Sequence, residues 1–287
     1  MEGSLLRMGQ GGVEIAPRRR LRLEHGMLAD MAAADHELGY TGGKMYAATR
    51  GGARFAVLLF RAEDGGLEAV LEADKLGQLR TGAASAVAAK YLARPGATKL
   101  GVIGCGWQAR SQVACIRTAV PSIERVVAYC RTEERLREFC ADTGAEPADS
   151  HREAAGQDVV VTITSSRDPV LRGEWLEPGT LVCAAGANVS TSRELDDVVL
   201  ERAAFVCCDS KEQARIESGD LIEPVANGVL DWLEVHELAE VVAGETPGRQ
   251  ADDDVVVFKS NGLAAWDIAA AAATVRLARE QGVGREL

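Results

Sequence analysis

The chain has 287 residues, of which 47% are hydrophobic, so it can bury the core of one large domain or two moderate ones. Its formal net charge is −11, which disfavours nucleic acid as a partner because phosphate binding requires a basic surface. The longest apolar run, Ile268–Thr274, is too short to span a bilayer. Neither a nucleic acid nor a membrane is therefore expected as a partner.

The seven cysteines form no CxxC pair and no Cys/His cluster with zinc spacing, so no metal site is expected. Several lie in or beside predicted strands, where a reduced thiol packs as a small apolar residue: Cys105, Cys130, Cys183, Cys207 and Cys208. The first residues, Met1–Leu5, lack the basic and apolar segments of a secretory signal. These features predict a reducing, cytoplasmic location.

The first 95 residues are predicted to belong to an α+β domain. Alternating or apolar runs at Arg54–Arg61 and Leu67–Leu71 flank Glu63–Gly66, which has the composition of a hairpin turn. A helix predicted over Leu76–Leu92 then leads to Arg94–Gly96, where Pro and Gly indicate a domain boundary.

From residue 96 onward, predicted strands alternate with helices. The strands are Lys99–Gly104, Arg125–Cys130, Asp158–Thr164, Thr180–Ala184, Ala204–Cys208 and Val255–Phe258. The helices are Gln108–Ala119, Thr132–Asp142, His151–Ala155 and Lys211–Glu217. Continuous apolar strands indicate a parallel sheet covered on both faces. Residues 96–262 are therefore predicted to form a doubly wound Rossmann domain.

The turn after the first of these strands has the pattern of a dinucleotide-binding fingerprint. Gly104 and Gly106 fit its first two positions, and Ala109 takes the third. Gly104 permits the tight turn, Gly106 lets the backbone approach a pyrophosphate, and the helix that starts near Trp107 offers N–H groups to it. The predicted pyrophosphate contacts are Gly104, Cys105, Gly106, Trp107 and Gln108.

The end of the second strand predicts which dinucleotide binds. A domain that prefers NAD places Asp or Glu there to accept hydrogen bonds from the ribose hydroxyls. This chain instead has Tyr129 followed by Cys130, Arg131 and Thr132. No carboxylate repels a 2′-phosphate, and Arg131 and Thr132 can bind one. Cys130, Arg131 and Thr132 are therefore predicted cofactor contacts. NADP(H) is therefore favoured, with NAD(H) left open.

The last long element, Leu263–Gln281, is predicted to be an alanine-rich helix. A helix this apolar needs a partner face, and we expect it to pack with the N-terminal region. The predicted domains are therefore residues 1–95 with 263–287, and residues 96–262.

Five segments in family order resemble the ornithine cyclodeaminase/μ-crystallin family: Arg80–Ala86, Gly104–Ala109, Gly173–Gly179, Arg193–Asp196 and Phe258–Gly262. The resemblance implies a Rossmann domain inserted into a substrate domain that is made from both termini and forms a homodimer. Family members usually carry further residues before the segment that matches Glu14–Arg20, which leaves open whether part of the dimer sheet is missing.

The resemblance also implies roles for three basic residues. Arg19 would hold the substrate carboxylate through its planar fork, with Arg18 as the alternative one register away. Lys44 would lie beside the reacting carbon, and Arg80 would reach the cofactor phosphate and the substrate region. Without the resemblance, all three would be interpreted as surface cations. Lesser cofactor contacts would be Thr81, Thr164, Ser165 and Ser260.

One position distinguishes the activities of the family. Cyclodeaminases have a proton-accepting aspartate after the fourth strand, where this chain has Asn188, and an amide cannot accept a proton at neutral pH. With Asn188 at this position, the resemblance implies an NAD(P)H-dependent ketimine reductase or amino-acid dehydrogenase that acts on a small α-imino or α-amino acid. The alternatives are a μ-crystallin-like protein that binds NADPH and a ligand with little turnover and, more weakly, a cyclodeaminase.

Overall fold

The computed structural model describes residues 1–285 and divides into two compact units. The first contains Met1–Arg80 and the chain from Leu263 onward, and the second is Thr81–Gly262. The elements of the first unit are α1 (Glu2–Gly9), β1 (Val13–Leu23), β2 (Gly26–Asp35), β3 (Tyr40–Thr49), β4 (Gly52–Arg61), β5 (Leu67–Glu72), the start of α2 (Asp74–Leu92) and, after the second unit, α10 (Ala264–Gln281).

The first unit is an antiparallel sheet in the order β1-β2-β3-β4-β5, with α10 packed on one face. The predicted hairpin over Glu63–Gly66 joins β4 and β5. The helix contributes Ala264, Ala265, Ile268 and Ala271 to a core shared with buried side chains of β2 and β4. Small residues on α10 allow this close packing, and the predicted association of α10 with the N-terminal region is confirmed.

The second unit contains the rest of α2 and the remaining elements: β6 (Lys99–Ile103), α3 (Trp107–Ala119), β7 (Arg125–Tyr129), α4 (Glu133–Thr143), β8 (Glu146–Pro147), α5 (His151–Ala155), β9 (Val159–Thr162), β10 (Leu181–Ala184), α6 (Asp197–Glu201), β11 (Ala203–Cys208), α7 (Lys211–Glu217), α8 (Gly219–Ala226), β12 (Val235–Glu237), α9 (Leu238–Val242) and β13 (Val255–Lys259). A short 3₁₀ turn, Gly173–Trp175, precedes β10. The six strands and four helices predicted for this unit have boundaries within two residues of the observed ones, whereas β8, α6, α8, β12 and α9 were not predicted.

The strands of the second unit form one parallel sheet in the order β12-β11-β13-β10-β9-β6-β7-β8. The chain runs outward from β6 to β8 on one side and continues from β9 on the other. The strand order therefore reverses between β6 and β9, and ligands of doubly wound sheets bind at such a reversal, beyond the carboxyl ends of the strands. The predicted Rossmann fold is confirmed.

The boundary between the units differs from the expectation near residue 95. It falls within α2, between Arg80 and Thr81. The second half of this helix packs inside the second unit: Arg249 Nε donates to the Leu92 carbonyl at 2.8 Å, and Gly82 faces the Ser111 backbone so closely that a Cβ would lie 2.3 Å from its oxygen. Within residues 1–285, no helix is both long and apolar enough to cross a membrane.

Candidate functional site

The turn after β6 has the geometry that a pyrophosphate requires. Gly104 has a φ of +110°, and a Cβ there would lie 2.5 Å from the Ile163 carbonyl oxygen, so only glycine fits. The space above Gly106 is open, because a Cβ there would meet no atom of the described chain within 4 Å. Gly106 is also the N-cap of α3, and no side chain in residues 1–285 caps that end. The helix N-terminus therefore presents backbone N–H groups to an anion.

A cavity of about 390 Å³ lies beyond the ends of β6, β7 and β9. Eight of the predicted cofactor contacts line it: Gly104, Cys105, Gly106, Cys130, Arg131, Thr132, Thr164 and Ser165. The predicted contacts outside its lining are Arg80 in the first unit, Thr81, Trp107, Gln108 and Ser260. Of these, Trp107 is 57% exposed at the start of α3, and the Ser260 hydroxyl donates to Asp209 at 3.2 Å.

The end of β7 makes one side of this cavity basic. Besides Arg131 and Thr132, the lining includes Arg135 and His151, which the sequence analysis did not identify. The His151 ring contacts the Tyr129 ring edge-on, with centroids 4.5 Å apart. Burial and the nearby Arg131 charge lower the pKa of His151, so the imidazole is neutral at physiological pH. Two guanidinium groups therefore supply the positive charge here.

These features fit a nicotinamide dinucleotide. The open turn at Gly106 and the uncapped N-terminus of α3 suit the pyrophosphate, and the cavity continues to the polar ends of β7 and β9. Across residues 1–285, no cluster of three or more His, Cys, Asp or Glu side chains could hold a metal ion.

The first unit contains a buried cluster of charges around Asp267. Lys44 Nζ lies 2.8 Å from one carboxylate oxygen of Asp267, and Arg80 Nε donates to the other at 3.0 Å. Lys44 is 2% exposed and Asp267 is fully buried. Asp267 lies in the first turn of α10, where the helix dipole stabilises a negative charge. The Phe55 ring adds an aromatic wall, with its centroid 5.9 Å from Lys44 Nζ.

Arg18, and not Arg19, accompanies this cluster. The Arg19 side chain, expected to hold the substrate carboxylate, is 80% exposed and pairs with Asp30 at 2.7 Å, so it does not join the buried charges around Asp267. Arg18 is 6% exposed and lies against Met31 on the core side of the sheet. The reason is a bulge: Ala16 pairs with Ala32 but Arg19 pairs with Asp30, so β1 has one more residue than β2 between these pairs.

The surroundings of Lys44 shift its protonation into the neutral pH range. Burial lowers the pKa of Lys44 most strongly, and the charges of Arg80 and Arg18 lower it further. Asp267 opposes these effects, and the resulting pKa is about 7. Burial would raise the pKa of Asp267, but Arg80 and Lys44 outweigh it and hold that pKa below its ordinary value. Lys44 can therefore gain or lose a proton near neutral pH, which suits acid–base chemistry.

Asn188 lies in the turn after β10 and is half-buried.

The structure places most of the predicted site residues in two groups. Lys44 and Arg80 meet at Asp267, and most of the cofactor contacts meet at the turns of the parallel sheet. Sequence reasoning missed Asp267. A usable signal was present, because Asp267 is the single acidic residue in the alanine-rich first half of α10.

The chain is similar to proteins of known activity along nearly its whole length. It is 36% identical to an alanine dehydrogenase of Archaeoglobus fulgidus over 292 residues, which covers 96% of this chain and 88% of that protein. Its structure matches Δ1-pyrroline-2-carboxylate reductase from Thermococcus litoralis in complex with NADH and L-proline, with a TM-score of 0.93, 31% identity and coverage of 100% of this chain and 93% of that one.

A second structural match is an archaeal alanine dehydrogenase dimer with bound NAD, with a TM-score of 0.93, 34% identity and coverage of 100% of this chain and 92% of that one. The family model described as ornithine cyclodeaminase/mu-crystallin matches residues 1–281. The resemblance inferred from five short segments therefore holds for the whole fold, and the chain belongs to the ornithine cyclodeaminase/mu-crystallin family.

Proposed function

We propose that this protein is an NAD(P)H-dependent oxidoreductase that acts on the C–N bond of a small α-imino or α-amino acid. The observation that carries the proposal is the buried pairing of Lys44 and Arg80 with one carboxylate, Asp267, and a third buried cation, Arg18, whose charge also acts on Lys44. The excess positive charge suits an anionic ligand. It occurs in a chain whose other unit has a dinucleotide-binding turn. The first unit would bind the substrate and the second the cofactor.

The substrate carboxylate is assigned to Arg18. A guanidinium binds a carboxylate through two parallel hydrogen bonds, and burial strengthens that contact by excluding water. Arg80 is held by Asp267 at 3.0 Å and adds positive charge to the same cluster.

Lys44 is assigned the role of exchanging a proton with the substrate nitrogen. In the reductive direction the ammonium donates a proton to the imine, and in the oxidative direction the neutral amine accepts one. A bound nicotinamide supplies or accepts the hydride. Asn188 cannot accept a proton, which disfavours ammonia loss by cyclisation. The names of the similar reductase and dehydrogenase describe the same C–N chemistry.

The cofactor is proposed to be NADPH in preference to NADH. Arg131 and Arg135 line the cavity where a 2′-phosphate would lie, and neither Asp nor Glu occupies the end of β7. The similar structures contain NADH or NAD, so the preference depends on these residues of this chain.

We also propose a homodimer formed through the sheet of the first unit. The face of this sheet opposite α10 has a row of small and apolar cross-strand neighbours, Ala16, Ala32, Gly43, Leu58 and Val70. Leu58 is 37% exposed and Val70 is 52% exposed, as expected for a face that a second subunit covers.

A cytoplasmic location is proposed because the seven cysteines are free thiols.

The activity can be tested by following NADPH oxidation optically against 2-oxo acids with ammonia or methylamine, and against cyclic ketimines. We expect oxidation with at least one carboxylated imine, and none with the matched imines that lack a carboxylate. Tight ligand binding with no oxidation across the panel would instead indicate a binding protein. Ammonia release from ornithine without net NADPH change would indicate a cyclodeaminase.

Arg18→Ala is expected to raise KM for the best substrate by roughly tenfold to a hundredfold, because a charged hydrogen bond is worth about 1.5–3 kcal/mol. The matched control is Arg19→Ala, which removes only an exposed ion pair and should leave KM close to that of the parent. NADPH affinity, measured by fluorescence, checks that both variants are folded. Equal effects of the two substitutions on KM would contradict the assignment of Arg18.

Lys44 should impose opposite pH dependences on the two directions of the reaction. Reduction requires the ammonium, so kcat/KM should fall as pH rises through about 7, whereas oxidation requires the amine and should rise there. Lys44→Ala should lower kcat by a factor of about 10²–10⁴ and remove both of these pH dependences. The exposed Lys99→Ala serves as the control and should keep the parent profile. Near-normal kcat in Lys44→Ala would leave Lys44 as a binding residue only.

Arg131→Ala should reduce the preference for NADPH over NADH by roughly tenfold or more, because the 2′-phosphate loses a charged contact worth about 1.5–3 kcal/mol. The expected loss falls on NADPH affinity, with NADH affinity little changed. Dissociation constants from fluorescence titration with each dinucleotide provide the measurement. An unchanged ratio would show that Arg131 does not bind the phosphate.

A further inference from the structure

Two of the segments that resemble the family, Arg193–Asp196 and Phe258–Gly262, each contain a charged residue that has no role in the chemistry described above. The structure brings one charged residue from each, Glu194 and Lys259, into the interior of the second unit, and both are fully buried. Asp220 of α8 lies between them and is also fully buried. A buried charge is costly unless it is paired and hydrogen-bonded, so these three side chains need partners that compensate for their burial.

The Glu194 carboxylate joins two turns at the carboxyl ends of neighbouring strands. One oxygen accepts from the backbone N–H and the hydroxyl of Thr164, each at 2.7 Å. The other accepts from Thr162 Oγ1 at 3.0 Å, Gly186 N at 2.7 Å and Ala187 N at 3.2 Å. Thr164 follows β9 and lines the dinucleotide cavity, and Ala187 directly precedes Asn188.

Lys259 and Asp220 contact the same turn after β10 and the backbone of Glu194. Lys259 Nζ donates to the Ala187 carbonyl at 2.5 Å and pairs with Asp220 at 3.0 Å. Asp220 also accepts from the backbone N–H of Glu194 at 2.6 Å and from that of Leu195 at 2.9 Å. Both backbone groups of Ala187 are therefore bound, one by Glu194 and one by Lys259.

The turn after β10 packs closely against Thr164 and Glu194. A Cβ on Gly186 would lie 2.3 Å from Thr164 N and 2.5 Å from a Glu194 oxygen. Three of the five groups that contact Glu194 are backbone N–H groups, which can only donate, and each carboxylate oxygen accepts from at least one of them, an arrangement that favours the ionised form. Burial raises the pKa of Glu194, and the Lys259 charge opposes that shift.

We propose that Glu194 is a positioning residue that fixes the turns after β9 and β10 in the half of the sheet that holds the nicotinamide. In doubly wound folds the two halves of the sheet each bind one mononucleotide. The Gly104 turn and Arg131 belong to the half formed by β6 to β8, whereas the turns that Glu194 holds follow β9 and β10. Glu194 therefore acts on the nicotinamide half of the cofactor site and on Asn188. This inference rests on the proposed function.

Glu194→Gln tests the proposal, because the amide is isosteric but places an NH₂ group against a backbone N–H donor in either orientation. Hydrogen exchange should become faster at the amides of Thr164, Gly186 and Ala187 and stay unchanged in β6 and β7. Affinity for the preferred dinucleotide should fall about tenfold or more, since a buried hydrogen-bonded charge is lost. Affinity for its nicotinamide-free fragment, ADP-ribose or its 2′-phosphate, should stay within about twofold.

Glu201→Gln changes an exposed glutamate of α6 and should reproduce the parent in every measurement. Thr162→Val removes one donor and keeps the Glu194 charge, so it should shift the same amides and affinities by a smaller factor, and it replaces Glu194→Gln if that variant does not fold. On an active substrate, Glu194→Gln should lower kcat more than it raises KM for the substrate.

Equal losses for the dinucleotide and the fragment, or unchanged exchange and affinity, would overturn the positioning role. Absence of turnover in the parent protein would instead refute the proposed function. The exchange and binding measurements would still decide the role of Glu194 in that case.

Discussion

The charge cluster of the first unit is organised around one buried carboxylate, Asp267. Asp267 is the acceptor for both Lys44 and Arg80, and each of these cations would be expensive to bury alone. The position of Asp267 in the first turn of α10 also connects the chain's last long helix to the site chemistry. The helix that packs on the core of the sheet thus also carries the carboxylate that pairs with Lys44, the proposed acid–base residue.

The balance of charge around Asp267 explains how a lysine acquires a neutral-range pKa without losing its partner. A buried lysine with no carboxylate would be strongly destabilised in its charged form, and one with a carboxylate alone would stay protonated. Arg80 and Arg18 offset the attraction of Asp267, so both protonation states of Lys44 remain accessible near pH 7. An anionic ligand entering this cluster would favour the ammonium and change the protonation state on binding.

The sequence alone predicted six of the eight strands of the parallel sheet, but only β4 and β5 of the five strands of the antiparallel one. Strands such as β9 are continuous runs of valine, and Gly104 and Gly106 mark the turn, so periodicity and turn chemistry agree there. By contrast, β2 and β3 are rich in alanine, glycine and methionine, whose weak strand propensity hides them. The contacts that define the site join residues far apart in the chain, Lys44 with Asp267 above all, and local patterns contain no information on such pairs.

The bulge in β1 falls within Ala16–Arg19. This segment contains Pro17, which has no N–H group to donate to the neighbouring strand, and it includes the start of the arginine run Arg18–Arg20. A one-residue slip of a strand exchanges its two faces. If the bulge were lost and Ala16 stayed paired with Ala32, Arg18 would pair with Asp30, and Arg19 would face the core in place of Arg18. An arginine therefore faces the core in either register of the strand. Evolutionary insertion or deletion of a residue near Pro17 could alter the edge of the sheet while leaving the anion-binding charge in place, which makes this strand tolerant of changes that would abolish a site built on a single arginine.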